Sequence, residues 1–277
     1  MSTVREALAY AAGFLDGKGI DTPEIDAAWL LAHVLGVSRS ELDAAPSREL
    51  GPEADARFEE LVERRGTREP LAYVLGGWGF RRLDLKVTPQ VLVPRPETEI
   101  VVERCLERLR DLPEPDVIDI GTGSGAIALA LADEHPGARV VATDISEGAL
   151  AVAAENRERC GLDGRVELVL GHLSAHLPGP FDLVVSNPPY VLPEEWETLE
   201  PEVRLFEPYE AVVGVHSTQA VARRATAILR PGGWLVLEIG ERRAAEVASL
   251  LERLGYRDVA VTHDLAGRER VVEGRLQ

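Results

Sequence analysis

The chain has 277 residues, 45% of them hydrophobic and 28% charged, with 30 Lys plus Arg against 47 Asp plus Glu and a formal charge of −17. That length suits one or two domains at roughly 100–200 residues each, and the composition excludes wholesale disorder. No apolar run reaches the ~20 residues of a membrane span. The acidic excess disfavours a general nucleic-acid binder, whose affinity comes from neutralising phosphates with basic groups.

The first 70 residues carry helical spacing and little else. Val4, Leu8, Ala11 and Leu15 share one helical face, and Gly19 supplies a stop. The apolar stretch 7–15 imitates a signal-peptide core. Arg5-Glu6 before it and Asp16-Gly17-Lys18 after it do not fit one, so it is expected to be the first helix of a soluble, cytoplasmic protein. Thr22-Pro23 predicts the cap and first position of a second helix, with Ile25, Trp29 and Ala32 on one face. Ser38 and Glu41 have capping-box spacing, and a fourth helix is expected from Pro52 to Arg65 with Phe58, Leu61 and Val62 inward.

Composition changes at Pro70. Glycines around Trp78 and Phe80, then alternation over Leu83, Leu85 and Val87, predict a hairpin. A helix follows Pro94 and Pro96. From Asp116 strands and helices alternate, with strands at 117–120, 139–143, 166–170, 181–185 and 234–239, a Pro231-Gly232-Gly233 turn, and closing strands near 259–262 and 270–273. Such alternation predicts a mostly parallel sheet with helices on both faces. Cys105 and Cys160 fall in helical patterns and form no disulfide framework or metal pair, which suits a reducing compartment.

Gly121-Thr122-Gly123-Ser124-Gly125 sits where the first of these strands meets its helix. Glycines there permit a tight turn and close approach of a ligand to backbone. The G-x-G-x-G spacing is one residue short of the dinucleotide fingerprint, which favours a ligand without a pyrophosphate. Asp144 ends the next strand, where an acid can accept both hydroxyls of a ribose or cap the following helix. Together these features point to an adenosine-containing ligand, and S-adenosylmethionine fits better than NAD. Asp119 either reaches the amino group of that donor or fixes the glycine loop.

Asn187-Pro188-Pro189-Tyr190 follows the strand 181–186, at the sheet edge where open α/β folds bind ligands. The Asn187 side-chain oxygen and the Pro188 carbonyl form a pair of acceptors suited to an –NH2 on a planar carbon, and Tyr190 offers a ring on which the planar group can stack. Such a nitrogen has a delocalised lone pair. Two acceptors on its hydrogens favour pyramidalisation and stabilise the positive charge that develops as it is alkylated. His172 and His176 are four apart, but they fall in a loop with no third ligand, so no metal is expected.

With that turn, the glycine loop and the segment Val93-Pro94-Arg95-Pro96-Glu97-Thr98-Glu99, the whole chain resembles the peptide chain release factor glutamine N5-methyltransferases. The resemblance implies an α/β, Rossmann-like class I S-adenosylmethionine-dependent methyltransferase domain, with a mostly parallel seven-stranded sheet, preceded by a small all-helical domain. The boundaries expected are a helical bundle at 1–70 that binds the release factor, a hairpin linker at 71–93 and a catalytic domain at 94–277. It implies methylation of the glutamine amide in the Gly-Gly-Gln loop of class 1 release factors by a monomer that needs neither membrane nor nucleic acid. By position, Gly121, Thr122, Gly123, Ser124, Gly125 and Asp144 would bind the donor, with Asn187 at the junction. Asn187, Pro188, Pro189 and Tyr190 would bind the glutamine, with Asn187, Pro188 and Tyr190 catalytic. The family usually has an acid near the adenine where this chain has Gly171-His172-Leu173, so His172 and Leu173 are expected to take that contact. The Asn-Pro-Pro-Tyr turn is shared with enzymes that methylate exocyclic amines of nucleic-acid bases, which leaves that chemistry, or a non-catalytic donor-binding scaffold, as the alternatives.

Overall fold

A computed structural model describes residues 2–173, 177 and 179–277, which form two compact units. The first unit holds residues 1–76 together with 200–206, and the second holds 77–199 and 207–277.

The first unit is helical. α1 (Val4–Asp16) starts at a Thr3–Glu6 capping box, and α3 (Arg39–Ala44) starts at the one formed by Ser38 and Glu41. α2 (Pro23–Leu35), α4 (Pro52–Gly66) and the short α5 (Leu71–Leu75) complete the 1–76 part of the unit. Val4, Ala11, Leu15, Leu30, Leu31, Phe58 and Leu61 share its core. Three local readings change. Ile25 and Trp29 lie on the outer side of α2, while Asp26 is buried. The reason is a salt bridge. Arg65 Nε sits 2.7 Å from Asp26 Oδ2, and its Nη1 sits 2.9 Å from Glu202, so the acid and not Ile25 is drawn inward. Trp29 instead stacks under the Arg39 guanidinium, 4.5 Å from the ring centroid. Thr22 does not cap α2 with its side chain, because its hydroxyl donates to Asp26. The stretch at 71–75, expected within the linker, is helix: α5 buries Ala72, Tyr73 and Val74 before Gly76 ends it in a left-handed conformation.

The second unit opens with the hairpin β1 (Gly77–Phe80) and β2 (Leu83–Lys86), paired antiparallel. α6 (Thr98–Leu109) follows, and then β3 (Asp116–Ile120), α7 (Ala126–Glu134), β4 (Arg139–Asp144), α8 (Glu147–Arg159), β5 (Val166–Leu170) and β6 (Phe181–Ser186). After a 3-10 turn at 193–198 and two short helices, α9 (Pro201–Phe206, part of the first unit) and α10 (Tyr209–Val212), come α11 (Ser217–Ile228), β7 (Leu229–Glu238), α12 (Ala244–Arg253), β8 (Tyr256–His263) and β9 (Glu269–Leu276). The seven-stranded sheet runs β5-β4-β3-β6-β7-β9-β8, parallel from β5 to β7 and antiparallel at β9 and β8. This is the expected Rossmann-like class I arrangement. β6 is buried at all six positions, as a central parallel strand covered on both faces should be. Two core clusters flank the sheet, one including Leu129, Leu131 and Val185, the other including Val184, Leu235 and Tyr256.

Pro231-Gly232-Gly233 is not the expected turn. β7 already pairs at Leu229 with Phe181, and the register slips before Leu183 meets Trp234, so the Pro-Gly-Gly run is an irregularity inside the strand. Cys105 is buried in α6, Cys160 ends α8, and both are free. Among the described residues, no helix is long and apolar enough to cross a membrane.

Candidate active site

A cavity of about 560 Å³ opens at the carboxyl ends of β3, β4 and β6, the edge where parallel sheets place ligands. On one side lies the glycine loop. Gly121, Gly123 and Gly125 have φ of 77°, 57° and 84°, which side chains avoid, so glycine is required there by the backbone. The N–H groups of Gly121 and Thr122 both donate to Thr143 O, at 2.8 and 2.9 Å, which ties the loop to β4. Below it the Thr122 hydroxyl donates to Asp119 at 2.7 Å. Burial pushes the Asp119 carboxyl up to about 7, against the lowering effect of that hydroxyl. Asn156 of α8, which the sequence reading passed over, braces the loop from behind. Its –NH2 donates to Ser124 O and Lys86 O at 2.9 Å each, and its oxygen accepts from Lys86 N at 2.7 Å.

Asp144 faces this loop. Its Oδ2 accepts from Gly123 N and its Oδ1 from Ser146 N, both at 2.9 Å. The cap of α8 is Ser146, whose hydroxyl accepts from Ala149 N. Each Asp144 oxygen therefore takes one backbone hydrogen and keeps a lone pair for a ligand. His172 and Leu173 also line the cavity. His176 lies outside the described residues, and among those described no cluster of His, Cys, Asp or Glu could hold a metal.

Opposite the loop, Asn187, Pro188 and Pro189 line the same cavity. The turn is held by a parallel bridge between Val191 and Val213, with Gly214 N donating to Val191 O at 3.0 Å. A Cβ on Gly214 would stand 2.5 Å from Pro189 O, so only glycine fits beside the turn. Two of the sequence-predicted residues do not line the cavity. Gly125 is the N-cap of α7, where its left-handed backbone turns the chain into the helix and a Cβ would also press on Leu129 at 3.0 Å. Tyr190 borders a small adjoining cleft with Gly240 and Arg243, and its ring lies where a Cβ on Gly240 would be only 2.9 Å away. Burial and the nearby Glu238 raise the Tyr190 phenol to about 12, so it stays protonated.

The segment Arg95–Glu99 is fastened at four points. Arg95 pairs with the buried Glu207 at 2.7 Å, Glu97 with Arg268 at 3.1 Å, and Glu99 accepts from Arg81 N at 2.9 Å. Thr98, the first residue of α6, donates to Glu238 at 2.7 Å and accepts from the Asn187 –NH2 at 3.4 Å. Both Arg95 and Thr98 line the cavity, as do Gln90, Ile145 and residues 208–211. Sequence reasoning gave none of these a role. The only signal was the run of charged residues and prolines at 94–99, which by itself names no partner.

Residues 6–76 match the family of PrmC N-terminal domains, and residues 98–200 match the family of methyltransferase small domains. The chain is 43% identical over 278 residues to a release factor glutamine methyltransferase of Cereibacter sphaeroides, covering 98% of each chain. It is 42% identical to proteins of the same name from Geobacter sulfurreducens, over 99% of this chain and 97% of that one, and from Deinococcus radiodurans, over 98% of each. Among solved structures, a T. thermophilus 16S rRNA methyltransferase in complex with AdoMet and guanosine is similar with a TM-score of 0.53 at 22% identity, over 73% of this chain and 50% of that one. A ribosomal protein methylase from Lactobacillus delbrueckii gives 0.51 at 21%, over 73% and 99%. At that identity the solved structures speak to the fold alone.

Proposed function

Because the chain belongs to the release factor glutamine methyltransferase family, we propose that it transfers a methyl group from S-adenosylmethionine to the side-chain amide nitrogen of the glutamine in the Gly-Gly-Gln motif of class 1 release factors. The observation that carries this reading is the sharing of one cavity by two kinds of group. On one side are the glycine loop and a carboxylate with a lone pair left on each oxygen, and on the other an amide at the end of β6.

The residues present fit the donor. Gly121 and Gly123 adopt conformations in which a Cβ would face open space, which leaves a cradle of backbone bordered by Asp144. Asp144 would accept from the ribose hydroxyls, and His172 and Leu173 would flank the adenine. Bound there, S-adenosylmethionine supplies a methyl group on a sulfonium centre and leaves as a neutral thioether. Asn187 Oδ1 and the Pro188 carbonyl hold the two hydrogens of the substrate amide, which aims its nitrogen lone pair and stabilises the charge it gains. The nitrogen then sheds one proton to water and becomes the neutral N-methyl amide. No residue has to act as a nucleophile. Tyr190, packed on Gly240 outside the cavity, supports the turn that carries Asn187 and Pro188.

The helical unit is read as the part that recognises the release factor away from the glutamine, supported by its match to the PrmC N-terminal family. We place the activity in the cytoplasm, with a single chain as the working unit. The test is incubation of the enzyme with methyl-labelled S-adenosylmethionine and either a folded release factor or bulk RNA and DNA. Label is expected on the release factor. Comparable transfer to nucleic acid would overturn the protein-substrate reading, against which the charge of −17 already argues.

A further inference from the structure

An asparagine amide has an accepting end and a donating end of nearly equal shape, and only the accepting end suits the role given to Asn187. Something must therefore choose between the two orientations. The parallel register of β6 and β7 sets Ser186 opposite Leu237, which brings Asn187 beside Glu238 at the ends of the two strands. Thr98 lies between them, only 4% exposed, at the start of α6. Its hydroxyl has a single proton, and that proton is given to Glu238 Oε2 at 2.7 Å. When ionised, Glu238 only accepts, so the Thr98 oxygen is then left to accept from whatever faces it. What faces it is the Asn187 –NH2, at 3.4 Å. With that end committed, Oδ1 is the end left for the cavity, and no described residue donates to it.

We infer that Thr98, anchored by Glu238, is a positioning residue that fixes the Asn187 amide with its oxygen toward the acceptor nitrogen. The inference rests on the methyl-transfer reading above and gives the otherwise unassigned Arg95–Glu99 segment a part in it. An inverted amide would set –NH2 against –NH2, leaving one of the two substrate hydrogens without its acceptor.

The test is single-turnover transfer of labelled methyl from S-adenosylmethionine to a release factor by the full-length enzyme, with donor affinity measured alongside. Thr98→Val keeps the shape and removes the hydroxyl. It should slow transfer about tenfold or more, as loss of a buried orienting hydrogen bond does, with donor affinity unchanged within about twofold. Thr98→Ser should restore most of the rate. In an Asn187→Ala background, Thr98→Val should change the rate by less than about twofold, because there is no amide left to orient. Glu238→Gln gives a second reading, since a carboxamide can donate as well as accept. It should slow transfer in the wild-type background and not in Asn187→Ala, which serves if the valine variant does not fold. Equal losses in both backgrounds, or full activity of Thr98→Val, would overturn the inference while leaving the activity in place. Absence of transfer by the wild-type enzyme would instead overturn the activity itself.

Discussion

Asp144→Ala should weaken S-adenosylmethionine binding through two separable losses. The first is the ribose. With Gly123 N and Ser146 N each taking one lone pair, both carboxylate oxygens retain one for a hydroxyl. A hydrogen bond to a charged group contributes about 1.5–3 kcal/mol, so losing this contact should weaken binding roughly tenfold to hundredfold. The second is the loop. Gly123 N–H loses its acceptor and, with φ of 57°, the loop is less firmly held in its binding conformation. Calorimetric titration with S-adenosylmethionine reads the sum, and circular dichroism checks that the fold survives. A donor analogue lacking the ribose hydroxyls separates the parts. It should bind wild type much more weakly than S-adenosylmethionine does, yet bind the alanine variant about as well as S-adenosylmethionine does. Asp144→Asn should fall between wild type and alanine, because one of its two ends must turn an –NH2 toward a backbone N–H. Wild-type affinity in a folded Asp144→Ala protein would refute the assignment and place the ribose elsewhere.

Asn187→Ala should lower single-turnover transfer by ~10²–10³, the usual loss for one positioned acceptor, and Asn187→Asp should retain more than alanine but less than wild type. Donor affinity should be nearly intact in both, and wild-type turnover by the alanine variant would contradict the mechanism. Gly240→Ala should reduce turnover severalfold, since its Cβ would stand 2.9 Å from the Tyr190 ring and displace it, while donor affinity stays unchanged. An unaffected rate would remove Tyr190 from any part in holding the turn. Glu238 bears on stability as well as positioning. Burial raises its carboxyl from 4.5 to about 7, so between those values the folded state holds a proton that the unfolded state has released. Stability therefore falls as pH rises through that window, by up to ~3 kcal/mol at about 1.4 kcal/mol per unit. Asp119 adds a slope of the same sign. Urea midpoints at about pH 5 and pH 8 should show the stability of Glu238→Gln gaining on wild type as pH rises, and a constant difference would contradict the burial argument.

How far the site could be read from the sequence depends on how local its chemistry is. The glycine loop and the Asn187–Tyr190 turn are short segments at strand ends, so their conformational demands and donor and acceptor groups are visible in a few consecutive residues. Asp144 could be recognised by its distance from the loop, although not that it also binds Gly123. Thr98 and Glu238 are 140 residues apart, and only the β6–β7 register and the placement of α6 bring both to Asn187. No periodicity carries that information. Gly125 shares the spacing and the left-handed backbone of its neighbours, but it packs over Leu129 and does not line the cavity, which the spacing does not distinguish. The inward face of α2 was misplaced because hydrophobicity alone cannot foresee that Asp26 is drawn in by Arg65, 39 residues away. Pro231–Gly233 has turn chemistry, yet the sheet already pairs at Leu229 and absorbs it as a register slip.

The most direct measurement is mass spectrometry of a release factor after incubation with this enzyme and S-adenosylmethionine, with the Gly-Gly-Gln peptide sequenced by fragmentation. The account predicts one added methyl on the side-chain amide of that glutamine, absent when the glutamine is replaced and strongly reduced with Asn187→Ala. An unmodified glutamine, or methyl found on another residue of the release factor, would contradict it.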